Sequence, residues 1–425
     1  MDNGIALRPP MGWRSWNCFA GDVTQVQMES IMDAMASRTR TVNGRPTSLV
    51  DLGYTRCGLD DGWQNMTRCH EGGSGRNGFH DENGRPSINV TAFPDMKSMT
   101  DHGHKLGLKV GWYMNNCICS ENKYGSFPFQ EPAWYDRIYS ASAQAVADYG
   151  FDALKLDGCS QFMDLNRWSA KLNATRRHIL IENCHWGCTT PNFPEVKPAV
   201  TPGNAECHVR ARLPWPFPAD YPIQGDGMCK GTEGVSDCPY HMYRTSVDVK
   251  ATWESVYKNL QTVVPFLGNP PVSRPGAWAY PDMLEVGRLA SFEEDRSHFG
   301  AWAIISSPLI LGYDLRDSHV MDQVWDIISN KEVIEVNQAW AGHPGMLISD
   351  AVGHRSSLRQ LWAKPLSRSR VAAFVLSNGC KPAQVTINLA DIGITDDGEV
   401  SVRDVYSHSD LGRVSVSFQT DTFGN

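Results

Sequence analysis

The stretch Ala153-Leu154-Lys155-Leu156-Asp157-Gly158-Cys159 alternates apolar with charged side chains and then breaks at a glycine. Successive side chains on a strand point to opposite faces, so Leu154 and Leu156 share one face while Lys155 and Asp157 share the other. A strand with one apolar face and one charged inner row fits a closed parallel sheet, coated outside by helices and carrying chemistry at its mouth. The bland alternative is a structural ion pair between Lys155 and Asp157. Burying such a pair is costly, and the acids at other strand ends favour a chemical use, with Lys155 keeping Asp157 ionised.

Working outward, comparable runs recur at 11–16, 54–60, 109–113, 179–184, 244–248, 276–282 and 303–311, which with 153–157 makes eight. Between them, residues 23–37, 133–149, 252–264, 293–305 and 321–336 carry apolar positions at three- and four-residue spacing, as crossover helices do. The fold expected is α/β, a (β/α)8 TIM barrel over residues 1–337. A doubly wound open sheet ranks second, because no GxGxxG or Walker sequence follows any strand. From 338 the texture changes to short alternating strands at 358–362, 370–376, 384–389, 399–405 and 414–418, expected to form a small C-terminal antiparallel β-sandwich over 338–425, truncated or completed elsewhere. Residues 188–238 hold four cysteines and eight prolines without periodicity, and are expected to be a long disulfide-rich loop.

The 425 residues are 41% hydrophobic and 20% charged, a globular rather than a disordered composition. The net charge of −8 gives no footprint for nucleic acid or an anionic membrane, and no apolar run approaches the ~20 residues of a bilayer span. Twelve cysteines lie scattered rather than in paired CxxC modules, which favours disulfides over zinc. Three sequons, at Asn65, Asn89 and Asn173, agree with a secreted or lysosomal/vacuolar protein from which a signal peptide has been removed.

Polar residues close almost every expected barrel strand: Trp16, then Asp60 and Asp61, Tyr113, Lys155 and Asp157, Cys184 and His185, Asp248, and Asp282. Paired acids in Leu59-Asp60-Asp61-Gly62-Trp63 suit vicinal hydroxyls, and Trp16, Trp63 and Trp186 offer aromatic faces for a pyranose. An N-cap or a calcium site is the plainer alternative for the two acids, and core packing for each tryptophan. Arg244-Thr245-Ser246-Val247-Asp248 adds a carboxylate from a second strand. Cleaving a glycoside needs two carboxyls, one ionised and one that gives and then takes a proton, and Asp157 and Asp248 are the pair expected.

These residues stand in motifs that resemble glycoside hydrolase family 27, the α-galactosidase and α-N-acetylgalactosaminidase enzymes. The matching stretches are 11–17, 59–63, 107–113, 154–159, 244–248, 275–284 and 306–309, in order along the barrel. The resemblance implies a retaining double displacement with Asp157 as nucleophile and Asp248 as acid/base. It implies that Trp16, Asp60, Asp61, Lys155 and Arg244 hold a galactose-type ring, the two acids and Lys155 reading O4, O6 and O3, with Asp282 as a further polar ligand. Cys159 would be bridged to Cys117 or Cys119, and no metal or organic cofactor is implied. The partner expected is a small-molecule or oligosaccharide substrate ending in such a sugar, and a homodimer is compatible with the pattern.

Three departures bear on the glycone. His185, before Trp186, replaces a family glutamate that receives the sugar O2, and a neutral imidazole can make one hydrogen bond there. The interval from Cys184 to Arg244 is longer than the family pattern, and Tyr280 replaces a common aspartate. The alternatives within this chemistry are an α-N-acetylgalactosaminidase, a β-L-arabinopyranosidase, and an α-glucan-acting or transglycosylating member. Outside it stands a catalytically inactive sugar-binding protein, which would have no use for both Asp157 and Asp248.

Overall fold

In the computed structural model, residues 4–67, 78–119, 132–160, 162, 164–184, 238–268, 271–350, 359–378, 384–395 and 398–421 are described. Eight parallel strands run β1 (Met11–Arg14), β2 (Arg56–Gly58), β3 (Lys109–Met114), β4 (Ala153–Leu156), β5 (Leu180–Asn183), β6 (Met242–Arg244), β7 (Trp278–Tyr280) and β8 (Leu309–Leu311). They pair in the order β8-β1-β2-β3-β4-β5-β6-β7. A parallel bridge between Leu284, just past β7, and Leu311 brings the two edges together, with the Leu284 N–H donating to the Ile310 carbonyl at 2.7 Å. The sheet is therefore the expected barrel and not the doubly wound alternative.

The alternation in β4 extends round the sheet. Trp13, Cys57, Val110, Trp112, Leu154, Leu156, Ile181 and Tyr243 face outward into the main core beneath the helices. Leu180, Met242, Trp278, Tyr280 and Ile310 form a second apolar cluster inside the barrel. Charged groups lie nearer the mouth on the same inner rows. Gly12 on β1 has no room for a side chain, since a Cβ there would meet the Arg56 carbonyl oxygen at 2.1 Å.

Helices cover the outside: α1 (Gln25–Ala36), α2 (Met96–Lys105), α3 (Pro132–Asp148), α4 (Leu165–Ala174), α5 (Trp253–Gln261), α6 (Phe292–Ile304), α7 (Ser318–Ile328) and α8 (Lys331–Gln338). Their starts are written in short polar residues. Thr24 forms a capping box with Gln27, and Asp95, Asp164, Thr252, Ser291 and Asp317 each accept a first-turn N–H. In α1, Met28, Ile31, Met32 and Met35 make the buried stripe.

Three expected boundaries are corrected. The single helix expected at 321–336 is two, because the Asn330 side chain accepts the Glu332 and Val333 N–H groups and so restarts the chain as α8. The strand expected at 244–248 is Met242–Arg244, with Met242 filling the barrel interior, so Asp248 lies in the loop beyond. The strand expected at 303–311 begins only at Leu309, since Ala303 and Ile304 complete α6 and the chain then turns through Ser306 at φ 54°.

Beyond α8 the strands are antiparallel. β9 (Met346–Ser349), which periodicity missed, pairs with β10 (Arg359–Pro365), and β10 with β11 (Val371–Ser377). β12 (Thr386–Asn388) pairs with β15 (Ser417–Gln419), and β13 (Val400–Asp404) with β14 (Ser409–Val414). The strand expected at 414–418 is broken, because a bend at residues 415–416 sends its two ends to different partners. This β-sandwich region packs on α6: a Cβ on Gly300 would meet Phe374 and Tyr406 at 2.7 Å, and the Tyr406 hydroxyl donates to the Arg296 carbonyl at 2.9 Å.

Lys364 on β10 is fully buried at that junction, its ammonium donating to the Asn337 carbonyl at 2.9 Å and to the Val336 carbonyl at the end of α8. Burial pushes its pKa down from 10.5 to about 7. Between those two values the unfolded chain holds the proton more readily than the folded one, so stability rises with pH across that window. Urea unfolding at pH 7 and pH 9 should show a gain of about 2 kcal/mol that Lys364→Met lacks. Equal slopes for the two proteins would show that the carbonyls hold the ammonium at its ordinary pKa.

Candidate active site

Asp157 directly follows β4 and is 7% exposed. Its Oδ2 accepts the Tyr113 hydroxyl at 2.6 Å, and its Oδ1 accepts the Gly158 N–H at 2.6 Å. Tyr113 pairs in register with Lys155, which brings the phenol to the end of β4. Burial, reinforced by the Asp157 charge, raises the Tyr113 phenol well above its ordinary range, so it remains a donor. The Cys184 thiol lies 3.8 Å from the same Oδ2, and burial keeps it protonated as well.

The loops carrying these groups are tied together. Of the two cysteines open to Cys159, it is Cys117 that forms the disulfide, while Cys119 is also disulfide-bonded. Asn115, at φ 61°, donates its amide to the Asp157 carbonyl and accepts the Phe162 N–H at 3.0 Å. Cys117, Asp157 and Cys159 cluster closely enough to hold a metal, but a disulfide offers no thiolate to one.

Lys155 does not pair with Asp157 as the strand alternation suggested. Its Nζ is 2.8 Å from Asp60 Oδ2, and it lies 5.1 Å over the Tyr113 ring. Arg14 of β1 also reaches Asp60, at 3.5 Å, and makes its shorter contact with Glu182 on β5. Burial would raise the Asp60 carboxyl, but Lys155 and then Arg14 outweigh it and hold it below the usual range. Arg14 and Glu182, 8% and 1% exposed, escaped the sequence reading. The alternation held their signal, since Glu182 is two residues before Cys184 and Arg14 two before Trp16.

Asp61 points away from its neighbour. Its Oδ1 accepts the Gly62 N–H, the Gln64 amide and the Asn116 amide, and its Oδ2 accepts the Cys117 and Ile118 N–H groups at 3.0 and 2.8 Å. Burial raises its pKa to about 6 against those five donors. With both oxygens taken, Asp61 fixes the turn after β3 rather than standing free for a sugar. The segment after β2 that carries Asp61 depends in turn on Gly62, whose φ of 109° and whose approach to the Gly21 backbone exclude a side chain. Trp63 is also structural: fully buried, it donates to the Tyr113 carbonyl at 2.9 Å and packs on Phe79 and Trp112.

Across the mouth, Arg244 at the end of β6 reaches Asp282 at 3.0 Å and Asp248 at 3.2 Å, with its other amino group 3.7 Å from Cys184. Asp282 is held at φ 87°, a costly conformation for a non-glycine residue, and its carboxylate accepts the Val249 and Met283 N–H groups. It thus anchors the loop that bears Asp248, whose side chain is 68% exposed. The Tyr280 hydroxyl is buried and has no hydrogen-bond partner among the described residues. Trp16 opens a one-turn helix at the mouth and is half-buried. His185, Trp186 and residues 188–237 lie outside the described residues.

Residues 8–210 and 230–339 match the family model described as alpha galactosidase A, and 357–422 match the alpha galactosidase C-terminal beta sandwich domain. The chain is 30% identical to alpha-galactosidase 2 of Arabidopsis thaliana over 96% of its own length and 85% of that protein. It is 30% identical to an alpha-galactosidase of Cyamopsis tetragonoloba, over 97% and 83% of the two lengths. Among solved structures, alpha-galactosidase I from Mortierella vinacea superposes with a TM-score of 0.69 at 23% identity, covering 99% of this chain and 95% of that one.

If Asp61 serves the turn, Asp61→Asn should lose about 2–4 kcal/mol of stability, since an amide presents one acceptor oxygen and sets its own N–H groups against donors. Denaturant titration of the purified variant measures this. Unchanged stability with weakened sugar binding would return Asp61 to the ligand.

Proposed function

This chain belongs to glycoside hydrolase family 27, and we propose that it hydrolyses terminal α-galactosides with retention of configuration, Asp157 acting as nucleophile and Asp248 as acid/base. The observation that carries the reading is the Asp157 carboxylate, oriented at the barrel mouth by Tyr113 and Gly158 and linked through Cys184 and Arg244 to Asp248.

In the first step a carboxylate oxygen of Asp157 attacks the anomeric carbon while Asp248 protonates the departing glycosidic oxygen, leaving a glycosyl ester. Asp248, now a base, takes a proton from water as that water attacks the same carbon, and Asp157 leaves as a carboxylate. Two inversions give net retention. The exposure of Asp248 suits this exchange with solvent, and Asp282 supports it by holding Arg244 and the loop at Val249.

Asp60 and Lys155 are the groups assigned to O4, O6 and O3 of the sugar. Lys155 spends one of its three protons on Asp60, so two remain for hydroxyls. An acid placed for the O4 and O6 hydroxyls supports galactose over arabinopyranose. Trp16 supplies an aromatic face, and in this reading His185 gives one hydrogen bond to O2 and Trp186 a second face. The sequons and the disulfide support secretory passage, and no described helix is long and apolar enough to cross a membrane.

Asp157→Asn should lose more than about a thousandfold in kcat on nitrophenyl α-galactoside while still binding galactose. Asp248→Ala should lose most on substrates with poor leaving groups. It should also flatten the alkaline limb of the kcat/KM profile, because that limb records loss of the acid's proton, while the acid limb stays. Equal losses on both leaving groups with both limbs intact would remove Asp248 from the role.

A further inference from the structure

Asp60 stands within reach of two buried cations, Lys155 at 2.8 Å and Arg14 at 3.5 Å, both on its Oδ2. Its Oδ1 already accepts the Asp61 N–H at 2.9 Å. A carboxylate offers about four acceptor positions, and a guanidinium with a free choice would take two of them in a fork. Arg14 does not. Its shorter contact is with Glu182, while its Nε has no hydrogen-bond partner among the described residues.

Glu182 sits on the inner row of β5, in register with Lys155 across the ladder, and is 1% exposed. Among the described residues its hydrogen-bonding partner is Arg14 rather than Asp157, and it faces almost no solvent, so neither contact with the proposed nucleophile nor solvation accounts for a charge there. Burying an acid is expensive unless it is paired, and its pair is Arg14. The four groups make two cations and two acids: Arg14 lies between Glu182 and Asp60, and Asp60 between Arg14 and Lys155.

We propose that Glu182 is a positioning residue for sugar recognition: by drawing the Arg14 guanidinium away from Asp60, it keeps acceptor positions on Asp60 open for the hydroxyls of the bound glycone. This rests on the assignment of Asp60 to the sugar made above. Without the Glu182 charge, Arg14 would close on Asp60 and compete with the ligand, so ground-state binding would suffer before the chemical step. Glu182→Gln retains volume and one acceptor but removes the pull.

The test compares wild type, Glu182→Gln and Glu182→Gln/Arg14→Gln, reading kcat and KM on nitrophenyl α-galactoside and Kd for galactose by calorimetry. Glu182→Gln should raise KM and Kd about tenfold, the worth of one hydrogen bond to a charged group, with the loss falling mainly in KM. The double variant should recover most of that loss, because the competitor is gone. A simple packing defect would lower the fraction folded without changing Kd per active molecule, and a second substitution would not repair it.

Should Glu182→Gln fail to fold, Arg14→Met reads the same competition from the other side. Galactose binding as tight as wild type, or tighter, supports the inference, and weaker binding overturns it. An unchanged KM in Glu182→Gln, or a double variant no better than the single one, also overturns it. Wild type inert on the aryl galactoside would instead sink the functional assignment and is distinguishable from either result.

Discussion

The barrel mouth is built around charges that have been taken out of water and must therefore neutralise one another. Arg14, Lys155 and Arg244 are each less than a tenth exposed, and each lies against at least one buried acid. Unpaired, any one of them would cost several kcal/mol. Paired, they fix the directions of Asp60, Glu182 and Asp282. Asp157 is left to neutral neighbours, chiefly the Tyr113 hydroxyl and the Gly158 N–H, and no cation among the described residues is bonded to its carboxylate oxygens. A carboxylate held by neutral groups alone keeps its orientation and stays free for the attack proposed for it. The same carboxylate locked in an ion pair would first have to break it.

The second constraint is mechanical. The loops after β2, β3 and β4 converge through the three donors that Asn116, Cys117 and Ile118 offer Asp61, the amide of Asn115 and the Cys117–Cys159 bridge. On the opposite rim, Asp282 keeps a strained backbone and spends its carboxylate on Arg244 and Val249. Strain of this sort costs of order 1–3 kcal/mol and persists where the surroundings over-determine it. The two rims thus bring Asp157 from a rigid strand end and Asp248 from an exposed loop, which suits the nucleophile and the acid/base proposed for them.

How much of this could be read from the residues depended on whether a feature was local. The alternation in 153–159 and in its counterparts showed the barrel and the inward rows, because strand geometry sends alternate side chains to the same face whatever the partner strand is. Pairings across strands were another matter. Lys155 points inward as its spacing requires, yet its partner Asp60 comes from just past β2, a choice made by the register of β2 on β3 and of β3 on β4. Asp61 follows Asp60 directly but turns to the loop after β3, where Asn116, Cys117 and Ile118 donate to it, a contact that no local pattern reveals. Glu182 stood on the inner row of β5 in plain view, and was passed over for the residues that close the strand. The break at Asn330 was a missed cap, and β9 was too short for its alternation to stand out.

The central claim is that an oxygen of Asp157 forms a bond to the sugar. Incubating the protein with an activated 2-deoxy-2-fluoro-galactosyl donor, whose fluorine slows the second displacement, and then digesting it for mass spectrometry tests this most directly. The account predicts one added fluorogalactosyl mass per chain, carried on the peptide that contains Asp157. A label on another residue, or turnover with inversion and no trapped ester, would contradict it.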